Sequence, residues 1–114
     1  MECRINAEDP SNDFIPSPAK VEEFYAPGGN GVRMDSHVYA GYEISPHYDS
    51  LIGKLIVHSE DRNTTINRMQ RALEETIIEG PKTTIPFHQA IMRNSDFQAG
   101  NFHTGFLETF VYEE

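Results

Sequence analysis

The sequence predicts an α+β domain, with a small antiparallel β-sheet from the N-terminal half and packed helices from the C-terminal half. Three observations predict it. Cys3, Ile5 and Ala7 alternate with Arg4, Asn6 and Glu8, the period of two of a half-buried strand. Leu51 to His58 is the most apolar strand-like run. Ile66, Met69, Leu73 and Ile77, with Ala72 beside them, recur at helical spacing. Strands gathered first and helices second are the α+β pattern rather than an alternating βαβ one.

The elements follow in order. Asp9-Pro10-Ser11-Asn12-Asp13 breaks the first strand. Phe14-Ile15-Pro16-Ser17-Pro18 is extended, and its prolines bar it from the middle of a sheet. Lys20 to Tyr25 is the next strand candidate. Pro27-Gly28-Gly29-Asn30-Gly31 is a tight turn, because Gly and Asn accept positive φ. Val32 to Tyr39 and Tyr42 to Ile44 are short strand candidates around Gly41. Asp61 or Asn63 can cap the main helix, and Gly80-Pro81 can end it. A second helix is expected from Pro86 to Arg93, opened by Thr84. Ser95 to Gly100 reads as a short helical turn, and Thr104 as the cap of a last one through Phe110.

With 114 residues the chain is expected to form one domain, 1–114. Lys and Arg number 9 against 18 Asp and Glu, a net charge of −9. That balance disfavours nucleic acid and anionic membrane surfaces as partners. An anionic small molecule would need a locally placed Arg or Lys. No run is long enough to span a membrane. Cys3 is the single cysteine, so a cytoplasmic, reducing setting is expected.

Motif chemistry is sparse. The phosphate loop G-x-x-x-x-G-K-[ST] and the dinucleotide fingerprint G-x-G-x-x-G are both missing. The histidines 37, 47, 58, 88 and 103 include no i, i+4 pair, so no metal site is expected. Arg4 shares a strand face with Asn6 and Glu8. Pattern alone favours a solvated face with Arg4 paired to Glu2 or Glu8. The other reading is a guanidinium ready for a carboxylate or carbonate. Arg33, two residues before Asp35, sits near a hairpin tip, where arginine is either solvated or a protein contact.

The word-level match is more specific. Cys3-Arg4-Ile5-Asn6-Ala7-Glu8-Asp9-Pro10 resembles the opening of the biotin carboxylase C-terminal domain. So do Phe14-Ile15-Pro16-Ser17-Pro18, Ala26-Pro27-Gly28-Gly29-Asn30-Gly31-Val32-Arg33 and Asp35-Ser36-His37-Val38-Tyr39-Ala40-Gly41-Tyr42. Tyr48-Asp49-Ser50-Leu51-Ile52-Gly53-Lys54-Leu55-Ile56 continues it. Arg68-Met69, Ala72-Leu73, Glu79-Gly80, Phe97, Gly100 and Phe106-Leu107 carry it to the end. Many motifs in register over nearly the whole chain make the resemblance specific.

The resemblance implies ATP-dependent carboxylation of biotin on a carrier protein, with bicarbonate as the carbon source. It serves acetyl-CoA, propionyl-CoA or pyruvate carboxylases, with fatty acid biosynthesis the expected setting. ATP and magnesium would be held by an ATP-grasp lobe N-terminal to this domain. The chain itself is expected to bind no cofactor and to be inactive without that lobe. The implied partners are the lobe, the biotin carboxyl carrier protein and a second copy in a homodimer. Residue by residue, Arg4 matches the arginine facing bicarbonate and the biotin ureido oxygen. Arg33, Asp49 and the turn residue Asn30 match subunit-interface positions, although relatives carry bulkier side chains where Asn30 stands. Ala19, Pro81 and Thr84 depart from the commoner pattern, and only local backbone changes are expected from them. A second reading is a non-catalytic module for dimerisation and carrier docking.

Overall fold

The alternation at the N-terminus produces a strand with one dry and one wet face. β1 (Glu2–Asn6) runs antiparallel to β6 (Leu51–Val57), which runs antiparallel to β5 (Val32–Ser36). The sheet order is β1-β6-β5, so the most apolar strand is central. The computed structural model describes residues 1–47 and 49–112, and Tyr48 lies outside them. Cys3 and Ile5 point inward with Leu55 and Val57, while Arg4 stays exposed. The Met1 ammonium donates to the Val57 carbonyl at 2.7 Å, and the Val57 N–H donates back to the Met1 carbonyl at 2.8 Å. The ladder thus takes in Met1 itself.

One irregularity shapes the sheet. Ile5 pairs with Gly53 but Asn6 pairs with Leu51, so Ile52 is an extra residue in β6. By alternation with Lys54 and Ile56 it would face outward, yet it is only 1% exposed. The bulge returns a β-branched side chain to the core.

Helix α1 (Arg62–Glu75) lays Ile66, Met69, Ala72 and Leu73 on this core. Asp61, not Asn63, is its cap: the carboxylate accepts the Thr64 N–H at 2.7 Å. The helix stops before Ile77, contrary to the sequence expectation. Thr76 is β-extended and buried, and its hydroxyl donates to the Ala72 carbonyl at 2.8 Å. Ile77–Glu79 instead forms β7, antiparallel to β4 (Glu23–Tyr25). Ile77 is exposed rather than core. Two successive β-branched isoleucines suit a strand better than a last helical turn. Gly80 then turns the chain at φ 123°.

Other boundaries also differ from expectation. Of Lys20 to Tyr25, only the last three residues pair as a strand. β5 ends at Ser36 rather than Tyr39. Tyr42 to Ile44 forms no strand, and Glu43 makes a single bridge to Lys20. Ile15–Pro16 (β3) pairs with Glu8–Asp9 (β2), an outlying two-stranded ribbon that tolerates proline. Helix α2 (Ile85–Arg93) packs on α1, followed by the short α3 (Ser95–Gln98) and α4 (Phe106–Thr109). Thr104 does not cap α4; Gly105 precedes it, and its N–H bonds to His103 Nδ1 at 3.0 Å.

Candidate functional site

Two of the four residues singled out by chemistry, Arg4 and Arg33, lie on the outer face of the three-stranded sheet. Cross-strand pairing sets Glu2, Ile56 and Arg33 in one row and Arg4, Lys54 and Asp35 in the next. Members of a row share a face. The face therefore carries three cations, Arg4, Arg33 and Lys54, against two carboxylates, Glu2 and Asp35. A chain with net charge −9 keeps a cationic balance here. Arg4 and Arg33 lie two strands and one row apart, roughly 12 Å between Cα atoms from ideal sheet spacing.

Arg4 is tethered lightly at its tip and firmly at its base. Its Nε donates to Glu2 Oε2 at 3.3 Å, with side chains 64% and 41% exposed. Such an exposed pair is weak. The guanidinium's terminal nitrogens hold no other partner among the described residues. The Arg4 carbonyl, in contrast, accepts from the Thr84 hydroxyl at 3.1 Å and from His88 Nε2 at 2.7 Å. A carbonyl only accepts, so Nε2 carries the proton. Burial lowers the His88 pKa against the opposing effect of that carbonyl, which favours the neutral ring with hydrogen on Nε2.

The three other predicted residues lie apart from Arg4 in different degrees. Arg33 shares its face and pairs with Asp35 at 3.1 Å. Asn30 is exposed in the turn before β5, and the positive φ values fall on Gly29 and Gly31 instead. Asp49 is at the far end of β6, where its carboxylate accepts the Leu51 N–H at 2.9 Å and starts the strand. Nearby, Glu8 at the start of β2 accepts from the Ser50 hydroxyl at 2.9 Å, tying β2 to the same segment.

Two residues of this site were not legible as such. Thr84 was expected to open α2, but its side chain makes no cap bond and turns to β1 instead. His88 was one of five undistinguished histidines. Their partner is 80 and 84 residues away, and no local signal marks such a contact.

No group of three His, Cys, Asp or Glu among the described residues could hold a metal ion. No helix among them is long and apolar enough to cross a membrane.

The family model of the biotin carboxylase C-terminal domain matches residues 2–109. The chain belongs to that family. A Nostoc biotin carboxylase is 59% identical over 108 residues, 95% of this chain but 24% of the relative. A pyruvate carboxylase subunit of Methanothermobacter thermautotrophicus is 59% identical over 110 residues, 96% of this chain and 22% of the relative. Among solved structures, the biotin carboxylase domain dimer of Hydrogenobacter thermophilus 2-oxoglutarate carboxylase, in complex with MgADP, ADP and bicarbonate, superposes with TM-score 0.93 at 49% identity. The match covers 99% of this chain and 26% of that one. This biotin carboxylase C-terminal domain thus spans about a quarter of the length of the relatives it matches. Those relatives include bacterial and chloroplastic enzymes.

Proposed function

We propose that this chain is the substrate-facing domain of an ATP-dependent biotin carboxylase, in which Arg4 stabilises charge on bicarbonate and on the biotin ureido oxygen. The observation that carries it is the placement of Arg4. Its guanidinium stands on an open, locally cationic sheet face, on a backbone fixed from both sides. A planar guanidinium can bind a carbonate or carboxylate through two parallel N–H donors. As a ureido oxygen gains negative charge, the same donors stabilise it more strongly than the neutral group. Glu2 holds the guanidinium until an anion competes for it.

The residues present do not fit ATP or magnesium. The chain lacks a phosphate loop, and the described residues offer no carboxylate cluster for a metal. Those groups belong to the ATP-grasp lobe, so the chain alone is inactive in this reading. Its partners are that lobe, the biotin carrier and a second copy contacted through Asn30, Arg33 and Asp49. The setting is a cytoplasmic acyl-CoA carboxylase feeding fatty acid synthesis.

The test is biotin- and bicarbonate-dependent ATP cleavage, by the chain alone and by the chain combined with a separately expressed ATP-grasp lobe. Silence alone and activity on combination are expected. In the combined enzyme R4A should lower kcat by about 10²–10³, the range for removing a preorganised oxyanion donor. Unchanged turnover in R4A would leave a docking and dimerisation module and remove the catalytic role. ATP cleavage by the chain alone would overturn the whole division of labour.

A further inference from the structure

The edge of β1 that faces away from β6 has no neighbouring strand among the described residues. In an antiparallel ladder, alternate residues present both N–H and C=O to the same side. Arg4 and Asn6 turn theirs to this open edge. Open edges leave backbone groups unpaired and the strand free to shift. Here the start of α2 stands in for a strand. The Thr84 N–H donates to the Asn6 carbonyl at 3.1 Å. The Thr84 hydroxyl accepts from the Asn6 N–H at 3.0 Å and donates to the Arg4 carbonyl at 3.1 Å. His88, one helical turn on, donates from Nε2 to that same carbonyl at 2.7 Å. One hydroxyl and one imidazole complete a rung that no strand provides.

We infer that Thr84 and His88 are positioning residues for Arg4, fixing the strand segment from which its guanidinium reaches the substrate. This rests on the reading of Arg4 given above. The side chain is mostly exposed, and among the described residues its one side-chain restraint is the weak Glu2 pair, so its location is set by the backbone. Displacement of a catalytic group by about 1 Å can cost on the order of 10²-fold in rate. Neither Thr84 nor His88 touches the substrate in this reading; both act through the Arg4 carbonyl. Thr84 is buried, whereas His88 is only half-buried, so the clamp has one arm in the core and one at its margin.

Three measurements test it. Nitrogen-15 NMR of the 114-residue chain reports the His88 tautomer without any substitution; hydrogen on Nε2 is required, and a proton confined to Nδ1 overturns the clamp. Backbone and Arg4 Nε relaxation is then compared in H88L, which cannot donate, and H88Q, whose amide can. H88L should loosen the Arg4 amide, and H88Q should restore it. An Arg4 as ordered in H88L as in the parent overturns the inference. In the enzyme combined with the ATP-grasp lobe, H88L should lower biotin-dependent kcat roughly tenfold to a hundredfold, with KM for ATP unchanged and H88Q recovering most of the loss. Full turnover in H88L, with Arg4 loosened and R4A crippled, overturns the catalytic consequence. R4A at full turnover overturns the Arg4 reading instead, and the relaxation data still decide the clamp.

Discussion

Replacing Thr84 with valine is the sharpest stability test of how β1 is held. Valine keeps the shape and β-branching but loses the hydroxyl, at a site only 4% exposed. Two hydrogen bonds disappear together. The Arg4 carbonyl keeps His88 as a donor, so its loss is an ordinary bond, about 1 kcal/mol. The Asn6 N–H keeps no acceptor in the clamp, and an unsatisfied buried donor costs about 1–3 kcal/mol. The added methyl returns up to about 0.8 kcal/mol. The net destabilisation is therefore about 2 kcal/mol, or roughly 8 °C in Tm for a chain of this size. T84S keeps the hydroxyl and loses one methyl, so it should fall by only about 1 kcal/mol. Urea titration followed by circular dichroism measures both, with m-values checked for equality. T84V equal to or more stable than T84S would refute the argument, because packing would then outweigh the bonds to β1.

Three further outcomes follow from the same geometry. G80A should unfold the β4–β7 ribbon: φ is 123° and an added Cβ would collide with the Lys20 carbonyl oxygen. Backbone strain of about 1–3 kcal/mol is expected before the collision is counted, and a lowered Tm with loss of Glu22 amide protection would show it. Asp61 is held below the usual carboxylate pKa by the Thr64 N–H and hydroxyl. Its stabilising contribution is therefore present above about pH 4 and is lost as pH falls through its folded value. D61A should flatten that part of the acid-unfolding curve, while D61N should retain much of the cap at neutral pH. Burial pushes the Cys3 thiol up to about 12, against the lowering effect of the nearby terminal ammonium. A disulfide reagent at about pH 8 should thus label it only as fast as the chain opens, and rapid labelling of the folded chain would contradict the buried inner face.

What the sequence revealed depended on how local each cause was. The Cys3–Ala7 alternation, the Leu51–His58 run and the Asp61 cap are local signals, and they place β1, β6 and the start of α1 correctly. Ile77 misled because its spacing from Leu73 continues the helical stripe, while its pairing partner Tyr25 is distant in sequence. Tyr42 to Ile44 looked like a strand because a β-prone run does not reveal whether a neighbour lies alongside. Arg4 drew attention first through family resemblance, since an exposed strand arginine is ordinary by pattern. Its supports, Thr84 and His88, needed the fold, because the contact closes a loop of eighty residues or more.

The reciprocal bonds between Met1 and Val57 matter for anyone handling this domain at the bench. A purification tag joined ahead of Met1 would exchange an ammonium for an amide that still has one N–H, so the rung to the Val57 carbonyl could survive. The tag would nevertheless leave the sheet three residues from Arg4. Toward the end of the described residues, the Tyr112 ring lies 5.7 Å from that of Phe87, the neighbour of His88. Gly28 leaves room for a label on the isolated chain, since an added Cβ meets nothing within 4 Å beyond its chain neighbours, but it lies two residues from Asn30, the proposed contact to a second copy.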